Sequence, residues 1–227
     1  MEFIEVERPF QCLGIDLLGP FPVSKSGNRH IIVAVDYLTK WVETEALPTG
    51  TANDVAIFLV RLFFRHGTAE SIITDRGKCF VAEMTQRLLL LLGSNHTTAY
   101  HPQTNGLCER QNYTLADMLS MFLNSNHTDW DELLPAITLA YNTSRQESTR
   151  LSPFYLMHGR EALVPLDIAL GANPNPVILK SVERFVDPDY ATSVLQNLEK
   201  ARQEVVTRMR RVHIEQKKAY DVGRRQA

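Results

Sequence analysis

The sequence predicts an α/β protein: a mixed sheet flanked by helices, followed by one long C-terminal helix. Three observations predict it. Short β-prone runs separated by turn residues open the chain. From Thr51 the apolar spacing changes from every second residue to every third or fourth, the mark of helices lying on a sheet. The resulting order, β-β-β-α-β-α-β-α, is that of a mixed sheet with three leading antiparallel strands.

Each element has its own reason. Gln11–Leu17 (QCLGIDL) is short, mostly apolar and holds one Asp. GPFPVSKSGN is turn chemistry. His30–Leu38 is strongly β-prone, and Trp41–Leu47 alternates as a half-exposed third strand. Thr51 caps a helix, with Asp54 in a capping-box position. Ala52, Val55, Ala56, Leu59, Val60 and Phe63 form its apolar face, and Gly67 ends it. Ser71–Asp75 is the fourth strand. Val81, Met84, Leu88, Leu91 and Leu92 predict the face of a second helix, closed by Gly93. A short extended piece near His96–Ala99 follows. From Leu107 a helix carries Leu115, Met118, Leu119 and Phe122 on one stripe. The next helix is capped at Thr128 or Asp129, with Pro135 as a kink site. Residues 171–188 read as linker by composition. Beyond them Leu195, Leu198, Ala201, Val205, Met209 and Val212 recur at helical spacing, narrow and coiled-coil-like.

Bulk properties exclude little. The chain has 227 residues, 44% of them hydrophobic, and a formal net charge of −2. The charge is uneven: Leu195–Ala227 carries +5, leaving −7 on residues 1–194. A basic tail on an acidic body suits phosphate contact as well as a solvated helix face. Cys12, Cys79 and Cys108 form no metal-ligand spacing, which points to a reducing compartment and no structural metal. The first residues lack a secretory pattern, so the four Asn-x-Ser/Thr sequons are read as chance and the chain as not secreted. The leucine run 88–92 is too short to span a membrane.

Three acids stand apart. Asp16 lies within an apolar strand, Asp75 at the end of SIIT, and Glu109 at the start of a helix behind a loop of amides. Burying an acid is costly unless it is paired or binds a cation. Strand ends in α/β sheets are where sites form. Converging carboxylates repel, and a divalent cation removes that repulsion. Oxygen ligands favour Mg²⁺ or Mn²⁺ over zinc. Two such ions roughly 3.5–4 Å apart suit in-line phosphoryl displacement. Singly, each acid has a plain structural reading as turn, cap or helix-start residue. Asp36 is a decoy of the same type, ending IIVAVD.

Together these residues resemble the catalytic core of a retroviral-type integrase, specifically that of a gypsy-type long-terminal-repeat retrotransposon. The blocks carrying the resemblance are RPFQCLGIDLLGPFPVSKSGNRHIIVAVDYLTKWVETEALP, HGTAESIITDRGKCF, TTAYHPQTNGLCERQNYTLADML and WDELLPAITLAYNTSRQESTRLSPFYLMHGR. The resemblance implies a ribonuclease H-like fold, with a mixed five-stranded sheet. It implies a catalytic core over 8–165, a linker over 166–188 and a basic amphipathic helix over 189–225. It assigns Asp16, Asp75 and Glu109 as the metal-binding catalytic triad and leaves Asp36 outside it. The implied chemistry is that of a polynucleotidyl transferase and endonuclease: 3′-end trimming of element DNA, then strand transfer into target DNA. Tyr100, His101, Gln103, Thr104 and Asn105 become candidates to hold a DNA end, with Gly106 letting the loop move and Arg110 and Asn112 reaching phosphate.

Two departures from the family pattern bear on activity. Thirty-three residues separate Asp75 from Glu109, two fewer than the family's usual spacing, with the shortfall placed in LGSNHTTAY. An even deletion preserves strand parity but shortens the strand or its approach. The family's zinc module and terminal β-barrel are also missing from the sequence, so a piece or a decayed copy of an element is expected. The implied partners are element and target DNA and further copies of the chain, with no membrane and no small-molecule substrate. The implied location is nuclear, otherwise cytoplasmic. A remnant that only binds DNA or a partner and a ribonuclease H are the rival readings, the latter opposed by HPQTNG…ER.

Overall fold

The structure is a computed structural model and describes residues 4–75, 77–98, 106–123, 128–171 and 188–224. The chain divides into two compact units, residues 1–141 and 142–227.

The first unit is built on a sheet of strand order β3-β2-β1-β4-β5. Strand β1 (Cys12–Leu18) pairs antiparallel with β2 (His30–Asp36), which pairs antiparallel with β3 (Val42–Leu47). On its other side β1 pairs parallel with β4 (Ser71–Thr74), and β4 with β5 (Asn95–Thr98). Helix α1 (Ala52–His66) makes the crossover from the meander to β4. Its capping box is present: the Thr51 hydroxyl accepts from Asp54 N–H, and the Asp54 carboxylate accepts from Thr51 N–H at 3.0 Å. Val55, Phe58, Leu59, Leu62 and Phe63 are its buried face.

The second crossover departs from the sequence expectation. Two helices stand there, α2 (Lys78–Val81) and α3 (Glu83–Leu91), broken at Ala82, whose backbone is extended (φ −61°, ψ 140°). The break shifts the helical phase. Phe80, Thr85 and Leu89 are buried, whereas Val81, Met84 and Leu91 of the expected face are exposed. A single unbroken 3.6-residue period across residues 81–92 was the wrong premise.

Helices α4 (Gly106–Ser120) and α5 (Trp130–Thr143) follow. Ile31, Val33 and Val35 of β2 and Val42 of β3 pack with Leu115 and Leu119 of α4 and Trp130, Leu134, Ile137 and Tyr141 of α5. This is one face of the sheet, because strand side chains alternate. Leu13, Ile15 and Ile32 take the opposite parity. Phe122 lies past the end of α4 and is exposed, so the expected stripe closes at Leu119. The Trp130 indole N–H donates to the Pro22 carbonyl at 2.9 Å, and Asp131 accepts from Ser24 and Asn28 at 2.6 and 2.9 Å. These bonds tie the β1–β2 loop to the start of α5.

The second unit holds α6 (Pro153–His158), α7 (Pro165–Ala169) and α8 (Pro188–Arg224). The Ser152 hydroxyl caps α6 by accepting from Tyr155 N–H at 2.9 Å, and Gly159 ends it in the left-handed region (φ 72°). A Cβ at Gly159 would meet Leu198 and Val194 of α8 at 3.4 and 3.6 Å, so this glycine also permits the close approach of α8. Arg202 donates to the Leu156 and Met157 carbonyls at 2.9 and 3.2 Å, satisfying the last turn of α6. No helix among the described residues is long and apolar enough to cross a membrane.

Candidate functional site

The β1–β4 pair decides the geometry. Its last paired positions are Ile15 and Thr74, in parallel register. The next residue on each chain is an acid, Asp16 and Asp75. Parallel register puts them abreast on the same face, one inter-strand spacing of about 4.8 Å apart in backbone. Asp16 pairs across the sheet with Val33, whose side chain belongs to the core under α4 and α5. Asp16 therefore faces the α4 side.

The carboxylates sit differently. Asp16 is half-buried, and its Oδ1 accepts from Leu17 N–H at 2.8 Å. Asp75 is exposed, just past the strand end, and its Oδ1 accepts from Gly77 N–H at 2.8 Å. A Cβ at Gly77 would stand 2.9 Å from that oxygen and 3.2 Å from the Phe80 ring. The glycine is what lets the carboxylate fold back over the turn. Both charges are felt at Cys79: burial raises its thiol pKa most, and the negative charges of Asp75 and then Asp16 raise it further.

Helix α4 reaches the pair through Asn112. Its amide donates to Asp16 Oδ2 at 2.6 Å, and the residue is only 5% exposed. Asn112, which the sequence offers as a phosphate contact, is here bonded to Asp16. Its Oδ1 is buried with no hydrogen-bond partner among the described residues. Glu109 lies three residues earlier on α4, one helical turn toward the N-terminus. Only the helical backbone is described at Glu109 and Arg110. Tyr100, His101, Gln103, Thr104 and Asn105 lie outside the described residues, and Gly106 is the first residue of α4. Among the described residues no three metal-ligating side chains gather.

The spacing shortfall does not break the sheet. Strand β5 pairs with β4 from Ser71↔Asn95 to Thr74↔Thr98, ending level with the strand that delivers Asp75.

Asp36 has a different fate. It is fully buried, accepting from Phe10 N–H at 2.9 Å, Thr39 N–H at 2.8 Å and the Thr39 hydroxyl at 2.6 Å. Burial raises its pKa in spite of these donors. It closes the turn after β2.

Sequence reasoning missed two residues of this site: Gly77, and Asn112 in its role toward Asp16. The three-residue step from Glu109 to Asn112 was a readable signal, since i and i+3 share a helix face.

A mixed sheet with antiparallel β1–β3, parallel β4 and β5, and acids abreast on β1 and β4 is the ribonuclease H-like core. The catalytic core domain of BIV integrase superposes on this chain with a TM-score of 0.52 and 26% identity, covering 64% of this chain and 92% of that one. The HTLV-2 integrase catalytic core domain in complex with magnesium gives a TM-score of 0.56 at 18% identity, over 66% and 98%. The second likeness bears on the fold alone. Residues 6–101 match the model of the integrase core domain family, and the relatives are of the gypsy-retrotransposon and retroviral type. Gypsy retrotransposon integrase-like protein 1 of Bos taurus is 29% identical over 163 residues, 71% of this chain and 33% of the relative. The retrovirus-related Pol polyprotein from transposon 412 of Drosophila melanogaster is 28% identical over 162 residues, 70% of this chain and 13% of the relative. The chain spans a third or less of the length of these two relatives.

Proposed function

We propose that this chain is the DNA-joining core of a retroelement integrase, acting with Mg²⁺ or Mn²⁺ held by Asp16, Asp75 and Glu109. The observation that carries this is the parallel register that sets Asp16 beside Asp75, with α4 tied to Asp16 through Asn112. The residues fit the cation: they offer hard oxygen donors, and paired negative charge disfavours leaving the site without one. The solved HTLV-2 core was in complex with magnesium. When bound, a divalent cation supplies Lewis acidity and charge neutralisation at the reacting phosphodiester.

The chain's own residues do the rest. Asn112 fixes the Asp16 carboxylate through one oxygen, and the Gly77 N–H fixes Asp75 through another. The loop residues Tyr100, His101, Gln103, Thr104 and Asn105, with Arg110, hold the DNA end by stacking and phosphate contact. In the first step the oxygen of water bonds to phosphorus and the 3′-oxygen takes the leaving electron pair. In the second, that freed 3′-hydroxyl attacks a target phosphodiester, so one P–O bond forms as another breaks. No covalent enzyme intermediate is involved. The reaction takes place in the nucleus, with several copies of the chain on DNA.

The test is metal-dependent nicking and joining of duplex DNA by the chain supplied with the flanking modules of its family. Asp75→Asn should abolish it while leaving thermal unfolding in place. Absence of any such activity in the wild-type protein would sink the proposal. The shortened Asp75–Glu109 spacing favours one second reading, a remnant that only binds DNA. Calorimetry separates them, because a remnant binds DNA without carboxylate-dependent Mn²⁺ binding.

A further inference from the structure

Helix α8 carries a stripe that outruns its cover. Leu198, Val205 and Val212 recur every seven residues, and Arg202, Met209 and Gln216 follow them four residues on. This alternation of three and four is the two-row seam along which one helix packs on another. The end of α6 occupies its first part: Gly159 stands close to Val194 and Leu198, and Arg202 donates to the Leu156 and Met157 carbonyls. Val205 is still buried, at 1% exposure. Past it the seam surfaces: Met209 is half-buried and Val212 is 40% exposed.

The seam has unlike flanks. Arg208 and Glu215 stand one residue before Met209 and Gln216 and edge one side; Val206 and His213 stand one residue after Val205 and Val212 and edge the other. Arg208 and Glu215 are seven residues apart, about 10.5 Å along the axis. That is beyond the steps of three and four at which side chains of one helix meet. Among the described residues no ion pair engages either of them.

We infer that this uncovered stretch of α8 pairs antiparallel with the same stretch of a second copy of the chain. Antiparallel helices bring matching flanks of their seams together. Met209 of each copy then packs on Val212 of the other. Arg208 of each faces Glu215 of the other, which makes two identical ion pairs about a two-fold axis. A parallel pair would bring unlike flanks together and set Arg208 toward His213. It would also lay the two α6-covered stretches side by side, on a seam that α6 already fills. The antiparallel order sends those stretches to opposite ends. The net +5 of Leu195–Ala227 opposes bringing two tails together. Salt screens that repulsion beyond about 8 Å and weakens ion pairs in contact much less. The pairing concerns α8 alone and does not rest on the DNA-joining chemistry.

The test is sedimentation equilibrium of the whole chain, without DNA, at about 0.15 M salt. The wild type should show a monomer–dimer equilibrium with Kd below about 1 mM. Arg208→Glu and Glu215→Arg each turn both ion pairs into like-charge contacts, and each should weaken the dimer about tenfold. An equimolar mixture of the two single variants should recover wild-type association, because each copy supplies the charge the other lacks. The double variant Arg208→Glu, Glu215→Arg should recover it as well. Recovery in the mixture cannot arise within one chain, so it separates pairing from an effect on the helix itself. Circular dichroism should show the helix retained in every variant. A monomeric wild type, single variants that associate as the wild type does, or a mixture no better than either variant alone overturns the inference. Asp75→Asn should dimerise like the wild type and still lose DNA joining, so failure here and failure of the proposed chemistry are told apart.

Discussion

Replacing Asn112 by Leu tests whether α4 positions the first carboxylate. The substitution removes an amide that donates to Asp16 Oδ2 at 2.6 Å and an Oδ1 that is buried without a partner among the described residues. A hydrogen bond to a charged acceptor contributes about 1.5–3 kcal/mol, and a buried unsatisfied acceptor costs about 1–3 kcal/mol. The two terms oppose each other and are of similar size. Stability should therefore change by no more than about 1–2 kcal/mol. Metal affinity has no such cancellation. Partners that orient a liganding side chain typically hold 10–100-fold in affinity, or about 1.4–2.7 kcal/mol. Calorimetric titration of Mn²⁺ into the folded chain should show that weakening, while unfolding curves in chelator nearly superimpose. If Asn112→Leu binds Mn²⁺ within twofold of the wild type, Asn112 is packing and does not position Asp16. If both affinity and stability collapse, the cancellation is wrong.

Three other outcomes follow from the same structure. Leu115→Ala empties a 1%-exposed position in the core between sheet and α4, and should cost about 2–5 kcal/mol in urea unfolding. Gly77→Ala sets a methyl 2.9 Å from Asp75 Oδ1; the carboxylate swings away, so Mn²⁺ titration should weaken with little change in unfolding, and an unchanged titration would separate that turn from the site. For Glu43, burial opposes ionisation, but hydrogen bonds from His66 and Trp41 and the charge of Arg65 outweigh it and hold its pKa below the ordinary 4.5. Its contribution to stability is complete above that value and is lost as pH falls through the folded pKa. The gap in urea midpoint between wild type and Glu43→Gln, open at pH 7, should thus narrow on acidification below about pH 4.5.

Much of the architecture was legible because it rests on local chemistry. Thr51 and Asp54 announce the start of α1, Gly67 marks its end, and the β-prone runs fall where the strands are. What stayed illegible depends on three-dimensional phase. The backbone turn at Ala82 resets which leucines face inward, and Leu89 is buried while Leu90 and Leu91 are exposed. No composition rule distinguishes adjacent leucines in one run. At the site, the positions of Asp16 and Asp75 on strands were readable. Their adjacency was not, because it depends on the β1–β4 register. The role of Asn112 was hidden for the same reason: an amide near a helix start reads equally as a phosphate ligand or as a partner for a buried acid.

Asp16 and Asp36 show how little residue type and strand position decide without the sheet. Both are acids in apolar strands, and β1 and β2 are paired neighbours. Asp36 pairs with Leu13, which is of the parity opposite to Asp16. It therefore lies on the other face, where the chain turns back at once and Thr39 and Phe10 supply three donors to its carboxylate. A carboxylate has about four lone-pair directions, and three are consumed by that turn in a fully buried setting, where an incoming cation would have to strip them. Asp16 has a parallel neighbour instead. Parallel pairing is in step, so the acid following Thr74 arrives beside the acid following Ile15. The neighbouring position is a second negative charge, exposed at the strand end, and the site's need is for a cation. The difference between the turn residue and the proposed metal ligand thus lies in the direction of the strand next door.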